Sequence, residues 1–133
     1  MLTLFYGSNS LALKPLTEPT LDMAVSATLS GNIGNAILGD RLYDVAPLRV
    51  ACYVVGDLVT NLSHYLTLVQ AVRAATQLQA NVQGTIYTRA LVAGGEIRIR
   101  GGAIAPKLIY ELTLVPSAPW WLDPGSAPRF LWW

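Results

Sequence analysis

The chain has 133 residues, of which 53% are hydrophobic and only 13% are charged, and its formal net charge is +1. An ordinary soluble domain has about 25% charged residues, so we expect a single domain whose surface is largely covered by other protein chains. The near-neutral charge argues against non-specific nucleic-acid binding as the main role, and the charged and polar residues within the apolar stretch 48–72 argue against a transmembrane helix there.

The first part of the chain predicts strands separated by long loops. Residues 2–6 are typical of a short strand, and the turn-rich residues 7–20 predict a loop or arm. Residues 21–29 alternate between apolar and polar side chains, which is the period expected of a half-buried strand. Residues 31–40 contain three glycines and predict a loop, whereas the β-branched segment 48–55 predicts a strand that is buried on much of both faces.

The apolar period then changes to that of a helix. Apolar side chains recur at helical spacing at Leu62, Tyr65, Leu66, Val69, Val72 and Leu78. Polar side chains lie between them, Thr60 or Asn61 can cap the start, and residues 81–84 can end it. The sequence therefore predicts one helix, over residues 61–80, whose apolar stripe packs on the core.

Strands follow this helix. Residues 85–92 and 107–115 predict strands, and Gly94–Gly95 predicts a tight hairpin turn. In residues 96–100 the isoleucines should face the core and the charged side chains, which include Arg98 and Arg100, should face outward. We therefore predict a mainly β domain over residues 1–115 with one α-helix: an antiparallel β-sandwich or open barrel with a flanking helix.

The last 18 residues have a different composition from the rest of the chain. Prolines and Gly125 should keep residues 116–133 out of a sheet or helix, so we predict an extended C-terminal arm. The arm contains all four tryptophans and one of the two phenylalanines. Such side chains dominate protein interfaces. The predicted interface residues are Trp120, Trp121, Phe130, Trp132 and Trp133, together with Arg98 and Arg100.

Burial of these aromatic side chains on the parent domain is the alternative to an interface. It suits Trp120 and Trp121, which directly follow the last predicted strand. It suits Trp132 and Trp133 less well, because they end the chain beyond two further prolines. We therefore expect the end of the arm to dock on an adjacent subunit or on a different protein.

No residue pattern predicts an active site. His64 is the only histidine and Cys52 the only cysteine, so we interpret the first as an exposed or capping helix residue and the second as a small buried strand residue. The eight acidic residues are scattered, and the glycines of 31–40 lack the spacing and the lysine of a phosphate loop. Arg89, Arg98 and Arg100 predict a basic stripe that is solvated or lies between subunits. We therefore predict no catalytic, cofactor-binding or metal-binding residues, and no enzyme activity.

The second half of the chain resembles a module of tailed-phage tail proteins, and most closely the distal tail and related tail-hub proteins. The resemblance lies in the order strand, helix "NLSHYLTLVQAVRAATQLQA", strand, Gly-Gly turn, strand and then "KLIYELTLVPSAPWW", and it covers residues 45–121. In that family a strand with a Tyr-x-Leu-x-Leu rhythm runs into a Pro-Trp ending. The matching positions here are Tyr110, Leu112, Leu114, Pro119, Trp120 and Trp121.

This resemblance implies a structural role. Members of the family have no enzyme activity and form rings in the tail, often hexameric ones. We therefore expect a structural subunit of the tail tip, hub or tube that is made in the host cytoplasm and acts in virion assembly. Its partners would be copies of itself and other tail proteins, with DNA only as channel cargo and with no membrane or cofactor. The alternatives are a capsid decoration protein, a head–tail connector protein and a small-ligand-binding β-barrel.

Overall fold

The computed structural model describes residues 1–21, 37–38, 41–42 and 46–132. Most of the strand expected over 21–29, most of the loop expected over 31–40, and Trp133 therefore lie outside the described residues. Within the expected loop, Ile37–Leu38 are described and form a short strand. The elements are β1 Leu2–Tyr6, β2 Asn9–Pro15, β3 Thr20–Leu21, β4 Ile37–Leu38, β5 Arg41–Leu42, β6 Leu48–Val55, α1 Leu58–Arg73, β7 Ala75–Val82, β8 Thr85–Arg100, β9 Lys107–Pro116, β10 Trp121–Leu122, β11 Pro128–Arg129 and β12 Leu131–Trp132.

Six of the strands form a closed antiparallel barrel in the order β1, β2, β6, β9, β8, β7 and back to β1. The barrel closes because β8 is long enough to pair with β7 through its first half and with β9 through its second half. A mainly β fold with one helix is thus confirmed for the described residues. The barrel is closed and not open, and the sandwich that the sequence also allowed is not confirmed.

The N-terminal strands form a hairpin that the sequence did not predict. Residues 7–20 were expected to be a loop, but β2 pairs with the whole length of β1, from Leu2 opposite Leu13 to Tyr6 opposite Asn9. Gly7 makes the tight turn between the two strands at a φ of +58°, which glycine adopts without strain. The alternation in "LALKP" places Leu13 and Pro15 in the interior.

Gly94 and Gly95 do not form the predicted hairpin turn. They lie in a bulge of β8 between Val92 and Glu96, where the strand bends from β7 towards β9. A Cβ atom on Gly95 would lie 2.6 Å from the carbonyl oxygen of Thr113 and 2.9 Å from Val72, so the bend needs glycine for close packing. The turn that joins β8 to β9 lies instead at residues 101–106.

The helix is shorter than predicted and begins earlier. α1 spans Leu58–Arg73 and not residues 61–80, because the carboxylate of Asp57 caps it by accepting a hydrogen bond from the Thr60 amide at 2.8 Å. The segment that was expected to continue the helix is β7, which pairs with β1 on one side and β8 on the other. This pairing satisfies the backbone of β7 from both sides, and it overrides the apolar spacing that had suggested a helix.

Asn61 does not cap the helix, although the sequence allowed that role. It is fully buried, and its side-chain amide donates hydrogen bonds to the carbonyl oxygens of Gly56 at 3.0 Å and Ile104 at 2.7 Å. These two bonds tie the start of α1 to the loop between β8 and β9. Asn61 therefore fixes the position of the helix on the barrel.

The core lies inside the barrel and beneath one side of α1. Strand β9 contributes every second residue to it, as its alternation predicted, and the helix contributes Leu68, Ala71 and Val72. The buried core residues are Leu2, Leu4, Leu13, Val50, Cys52, Leu68, Ala71, Val72, Ala75, Leu78, Ala80, Tyr87, Leu91, Leu108, Tyr110, Leu112, Leu114 and Trp121.

The tail returns to the barrel, so the prediction that its prolines keep residues 116–133 out of the sheet is wrong. Strand β10 pairs with β8 through Leu122 opposite Thr88, and β11 pairs with β10. β12 pairs with β3. Pro128 is compatible with this arrangement because β11 is the outermost strand of its sheet, where a missing backbone N–H is tolerated.

Candidate interaction surfaces

The outer side of β2, β6, β9 and β8 carries most of the chain's basic side chains. The residues between them on these strands pack inward, so the basic residues point away from the core. We call this surface the basic face. Its exposed basic residues are Lys14, Arg49, Arg98, Arg100 and Lys107.

The strand register brings the basic residues into adjacent rows. Arg98 lies opposite Glu111 on β9, and Arg49 lies in the row that also contains Glu96. The guanidinium of Arg98 is 3.9 Å from the Glu111 carboxylate, but the Arg98 side chain is 78% exposed, so this ion pair contributes little to stability. The ammonium group of Lys107 lies 4.8 Å from the centre of the Tyr53 ring.

The predicted alternation of residues 96–100 is confirmed. Glu96, Arg98 and Arg100 are exposed, and Ile97 and Ile99 pack against the core. Five basic side chains share the basic face with two acidic ones, Glu96 and Glu111, so the face is positive overall. It therefore favours a negatively charged or polar surface as its partner.

Arg89 does not join this basic stripe, although the sequence suggested that it would. Its guanidinium donates hydrogen bonds from Nε and Nη2 to the carbonyl oxygen of Ala118, at 3.2 and 3.1 Å, and lies 5.9 Å from the centre of the Trp121 ring. Burial lowers the pKa of Arg89 to about 10, so the side chain stays charged at neutral pH. Arg89 therefore holds the start of the tail against the barrel.

The aromatic residues of the tail have different environments. Trp121 is only 1% exposed and belongs to the domain's own core, which corrects its assignment as an interface residue. Trp120 and Phe130 are half-buried. Trp132 lies in β12, opposite Thr20, and Trp133 is outside the described residues.

Between β10 and β11 the chain turns around Asp123. Its carboxylate accepts hydrogen bonds from the amides of Gly125 and Ala127, both at 2.9 Å, and lies 3.3 Å from the guanidinium of Arg129. The turn is therefore organised by a single acidic side chain. Sequence reasoning assigned no role to Asp123 or Arg129, although the spacing Asp-x-Gly is a common turn signal.

An exposed apolar stripe on α1 was not expected. Leu62 and Leu66 were predicted to face the core, but they are 41% and 57% exposed. Leu58 and Val59, one turn earlier, are also exposed. Leu68 and Ala71 pack inward, together with Val72, which the sequence had predicted to face the core. Because α1 is apolar on more than one side, the spacing of its apolar residues could not show which side is buried. We call Leu58, Val59, Leu62 and Leu66 the α1 stripe.

His64, Tyr110 and Cys52 meet beneath the helix. Nε2 of His64 and the hydroxyl oxygen of Tyr110 are 3.2 Å apart and share a hydrogen bond, and Cys52 lies opposite Tyr110 across the β6–β9 ladder. His64 is thus half-buried and bonded to a core tyrosine, and is neither the exposed nor the capping residue that the sequence suggested.

Burial keeps this group uncharged. It raises the pKa of the Cys52 thiol to about 12, raises the pKa of Tyr110, and lowers the pKa of His64. A thiol with so high a pKa supplies no thiolate nucleophile at neutral pH. Cys52 is fully buried, as its interpretation as a small strand residue required. The group therefore satisfies polar atoms in the core and has none of the properties of a nucleophilic site.

Two open depressions of about 710 and 650 Å³ lie on the surface, one beside the N-terminus and one beside the Asp123 turn, and neither is lined by core residues of the barrel. In the described part of the chain, no three His, Cys, Asp or Glu side chains come together as a metal site requires. No helix there is long and apolar enough to span a bilayer.

No family model, curated protein or solved structure matches this chain. The protein is therefore described here by its architecture and its surfaces. It is a small closed β-barrel with a core-filled interior, one helix packed on it, and two unlike surfaces directed outward: the basic face and the α1 stripe.

Proposed function

We propose that this chain is a structural subunit of a phage tail, in the tail tip, the hub or the tube, and that it acts in virion assembly as part of a ring. The observation that carries an assembly role is the α1 stripe, in which four neighbouring apolar side chains of one helix are 41–73% exposed. A monomeric soluble protein rarely exposes apolar patches of more than a few hundred Å². The large apolar side chains exposed here are Met1, Leu16, Val55, Leu58, Val59, Leu62, Leu66, Ile86, Val92 and Val115.

The assignment to a phage tail is supported by the resemblance of residues 45–121 to distal tail and tail-hub proteins. This region includes β6, α1, β7, β8 and β9, which supply four of the six barrel strands together with the helix. The strand with the Tyr-x-Leu-x-Leu rhythm is β9, whose Tyr110, Leu112 and Leu114 point into the core. Their role in this fold is packing, so the features available for assembly lie on the outer surface.

The basic face is a candidate for the contact between ring neighbours or for the lining of a channel. Arg98 and Arg100 extend from it and are exposed, and no carboxylate in the described residues lies closer to Arg98 than 3.9 Å. In a channel, these side chains would face DNA as passing cargo. At a subunit interface, they would face acidic or carbonyl groups of the neighbour.

The end of the tail is the second candidate contact. We propose that Phe130, Trp132 and Trp133 dock on an adjacent subunit or on another tail protein. Phe130 directly follows β11, which pairs with β10, and Trp132 lies in β12, which pairs with β3. Deletion of residues 126–133 should leave a folded barrel that fails to assemble.

A small-ligand-binding β-barrel is less well supported. Such a protein needs a largely apolar cavity that encloses its ligand, but the interior of this barrel is occupied by its own leucine, tyrosine and tryptophan side chains. A capsid decoration or head–tail connector protein belongs to the same assembly class. The surfaces described here suit either of these as well as a tail protein.

Two measurements test this proposal. Sedimentation of the purified full chain, with negative-stain imaging of any particles, should show ring-shaped oligomers, whereas a monomer at all concentrations would contradict the assembly role. Reconstruction of a phage particle that contains the chain would locate it. Density in the tail is the expected result, and density in the capsid or at the head–tail junction would replace the tail assignment with one of the alternatives.

A further inference from the structure

Uncharged polar side chains form a compact patch on the outer side of β1, β7 and β8. Thr3 on β1 lies opposite Gln79 on β7, and Gln79 lies opposite Thr88 on β8. Two residues further along β7, Asn81 lies opposite Ile86. The residues that lie between them along the strands are buried in the core, so these side chains point outward. The residues of this surface, which we call the amide patch, are Met1, Thr3, Gln79, Asn81, Ile86 and Thr88.

The amide patch is small and surrounds an open depression. Neighbouring strands are about 4.8 Å apart and alternate residues about 6.8 Å apart, so the patch covers about 10 Å by 7 Å. The depression has a volume of about 120 Å³, and every residue of the patch except Thr88 borders it.

Two larger depressions adjoin this one. The depression beside the N-terminus shares Met1 and Asn81 with it, and the depression beside the Asp123 turn shares Ile86 and is also bordered by Thr88. The three depressions therefore lie side by side around the turn between β7 and β8. Together they offer room for an extended ligand that crosses the amide patch.

The polar groups of the amide patch are available for hydrogen bonds. The Gly84 amide donates a hydrogen bond of 3.0 Å to Oδ1 of Asn81, which fixes this side chain and leaves its Nδ2 free to donate to a ligand. Within the described part of the chain, the side chains of Thr3, Gln79 and Thr88 form no hydrogen bond. Because these residues lie on paired strands, their backbone is already ordered, which lowers the entropy lost on binding.

The composition of the patch excludes two classes of partner. None of the described side chains that border the small depression is charged, so it offers no cation to a phosphate or a nucleic acid. The Met1 amine and Glu18, which border the adjoining depression, pair with each other at 2.7 Å. The patch also contains no tryptophan, tyrosine or arginine, the side chains that anchor most protein interfaces.

The chemistry that remains is that of a neutral sugar. A hydroxyl group both donates and accepts hydrogen bonds, and the side chains of Thr3, Gln79 and Thr88 offer both roles in return. The C–H groups of a sugar ring can contact Met1 and Ile86, whose side chains are 53% and 47% exposed. We propose that the amide patch binds a neutral oligosaccharide chain. The site lies within one copy of the chain, so this inference does not rest on the ring proposed above.

The first test measures binding of defined sugars to the full chain by saturation-transfer NMR. The sugars are maltotetraose, cellotetraose, mannotetraose and N-acetylchitotetraose. This method observes the ligand, so it works for a monomer and for a ring. At least one of the four should bind with a millimolar or lower dissociation constant. If none of them binds at millimolar concentration, the proposal is wrong.

The second test compares two glutamines on the same strand. Gln79→Ala removes the central amide of the patch and should weaken binding about three- to tenfold. Gln77→Ala is the matched control, because Gln77 is also a half-buried residue on the outer side of β7 but does not border the small depression. Its affinity should equal that of wild type. Equal weakening by both substitutions would place the sugar elsewhere and overturn the proposal.

Asn81→Asp tests the donor at the other end of the patch. The aspartate keeps the acceptor for the Gly84 amide, so the turn is preserved, but it loses the Nδ2 donor. Binding should therefore weaken about three- to tenfold while the thermal melting curve stays close to wild type. Unchanged binding would show that Asn81 does not contact the sugar and would contradict the proposed site.

The outcomes also separate other ligands from a neutral sugar. If dextran sulfate or oligodeoxythymidine binds in a way that depends on Gln79, and no neutral sugar does, the patch recognises polyanions and the proposal is wrong. A chain that stays monomeric but binds a neutral sugar through Gln79 supports this inference although the ring would be wrong. A chain that forms rings but binds none of the sugars supports only the proposed function.

Discussion

The C-terminal tail and the outer side of α1 are both rich in apolar residues, but the fold treats them in opposite ways. The tail lacks regular periodicity and contains four prolines, yet Trp121 is buried and anchored by Arg89. The helix has regular apolar spacing, yet Leu58, Leu62 and Leu66 are left in solvent. Residue size and regular spacing therefore do not decide burial, because the decisive factor is whether the barrel offers a complementary surface.

The largest effect is expected from Trp121→Ala. Removal of this buried indole leaves a cavity beside β8, so the free energy of unfolding should fall by about 3–5 kcal/mol. Trp120→Ala is the control, because Trp120 is only half-buried. Urea denaturation measures both variants. If both variants lost the same small amount of unfolding free energy, Trp121 would not be part of the core. The whole tail would then be an arm, and the contrast with α1 would not hold.

Two leucines of α1, Leu66 and Leu68, test the helix in the same way. Leu68 is fully buried, so Leu68→Ala should lower the free energy of unfolding by about 2–5 kcal/mol. Leu66 is 57% exposed, so Leu66→Ala should change it by about 0.5 kcal/mol or less. Denaturation at concentrations below any self-association isolates the monomer. A large loss for Leu66→Ala would show that the α1 stripe packs on the chain's own residues.

The anchor of the tail is tested at Arg89. Arg89→Ala leaves the Ala118 carbonyl oxygen without its donors, so stability should fall by about 1–3 kcal/mol. Amide hydrogen exchange should also rise in residues 118–129. Arg89→Lys keeps the charge but loses the pair of hydrogen bonds to the Ala118 carbonyl oxygen. Its stability should lie between those of wild type and Arg89→Ala. Unchanged exchange in both variants would show that the tail is held by Trp121 alone.

His64 should make stability depend on pH. Its pKa is lowered by burial in the folded chain, so the unfolded chain binds the proton more tightly. The stability is therefore complete above the unfolded-state pKa of about 6.5 and is lost as the pH falls through the lower pKa of the folded state. Thermal melting between pH 7 and 5 measures the loss. His64→Gln should remove this part of the dependence, and an unchanged profile in that variant would contradict the assignment.

The smallest effect on folding is expected from the basic face. Arg98→Ala with Arg100→Ala should leave the unfolding free energy within about 0.5 kcal/mol of wild type, because both side chains are exposed. If the face joins subunits or lines a channel, assembly should become less sensitive to salt in the double variant. Lys14→Ala, at the edge of the same face, is the control. An unchanged salt profile would exclude Arg98 and Arg100 from the contact.

Local patterns predicted the orientation of many residues that form these surfaces. The alternation of residues 96–100 identified Arg98 and Arg100 as outward-facing, because successive strand side chains point to opposite faces wherever the strand lies. Alternation along the strands did not show that Arg89 has a different environment from Arg98 and Arg100. Arg89 lies beyond the bulge at Gly95 and binds Ala118, and neither feature is encoded in the neighbouring residues.

The sequence by itself determined a mainly β chain with one helix, the inward face of β9, and a surface poor in charge, because each depends on composition or on the period of one element. Only the tertiary structure decided that β8 bends to close the barrel, that residues 75–82 form a strand, and that the tail returns while one side of α1 stays exposed. These features depend on contacts between segments far apart in the chain. The apolar period of one element carries no information about which distant segment packs against that element.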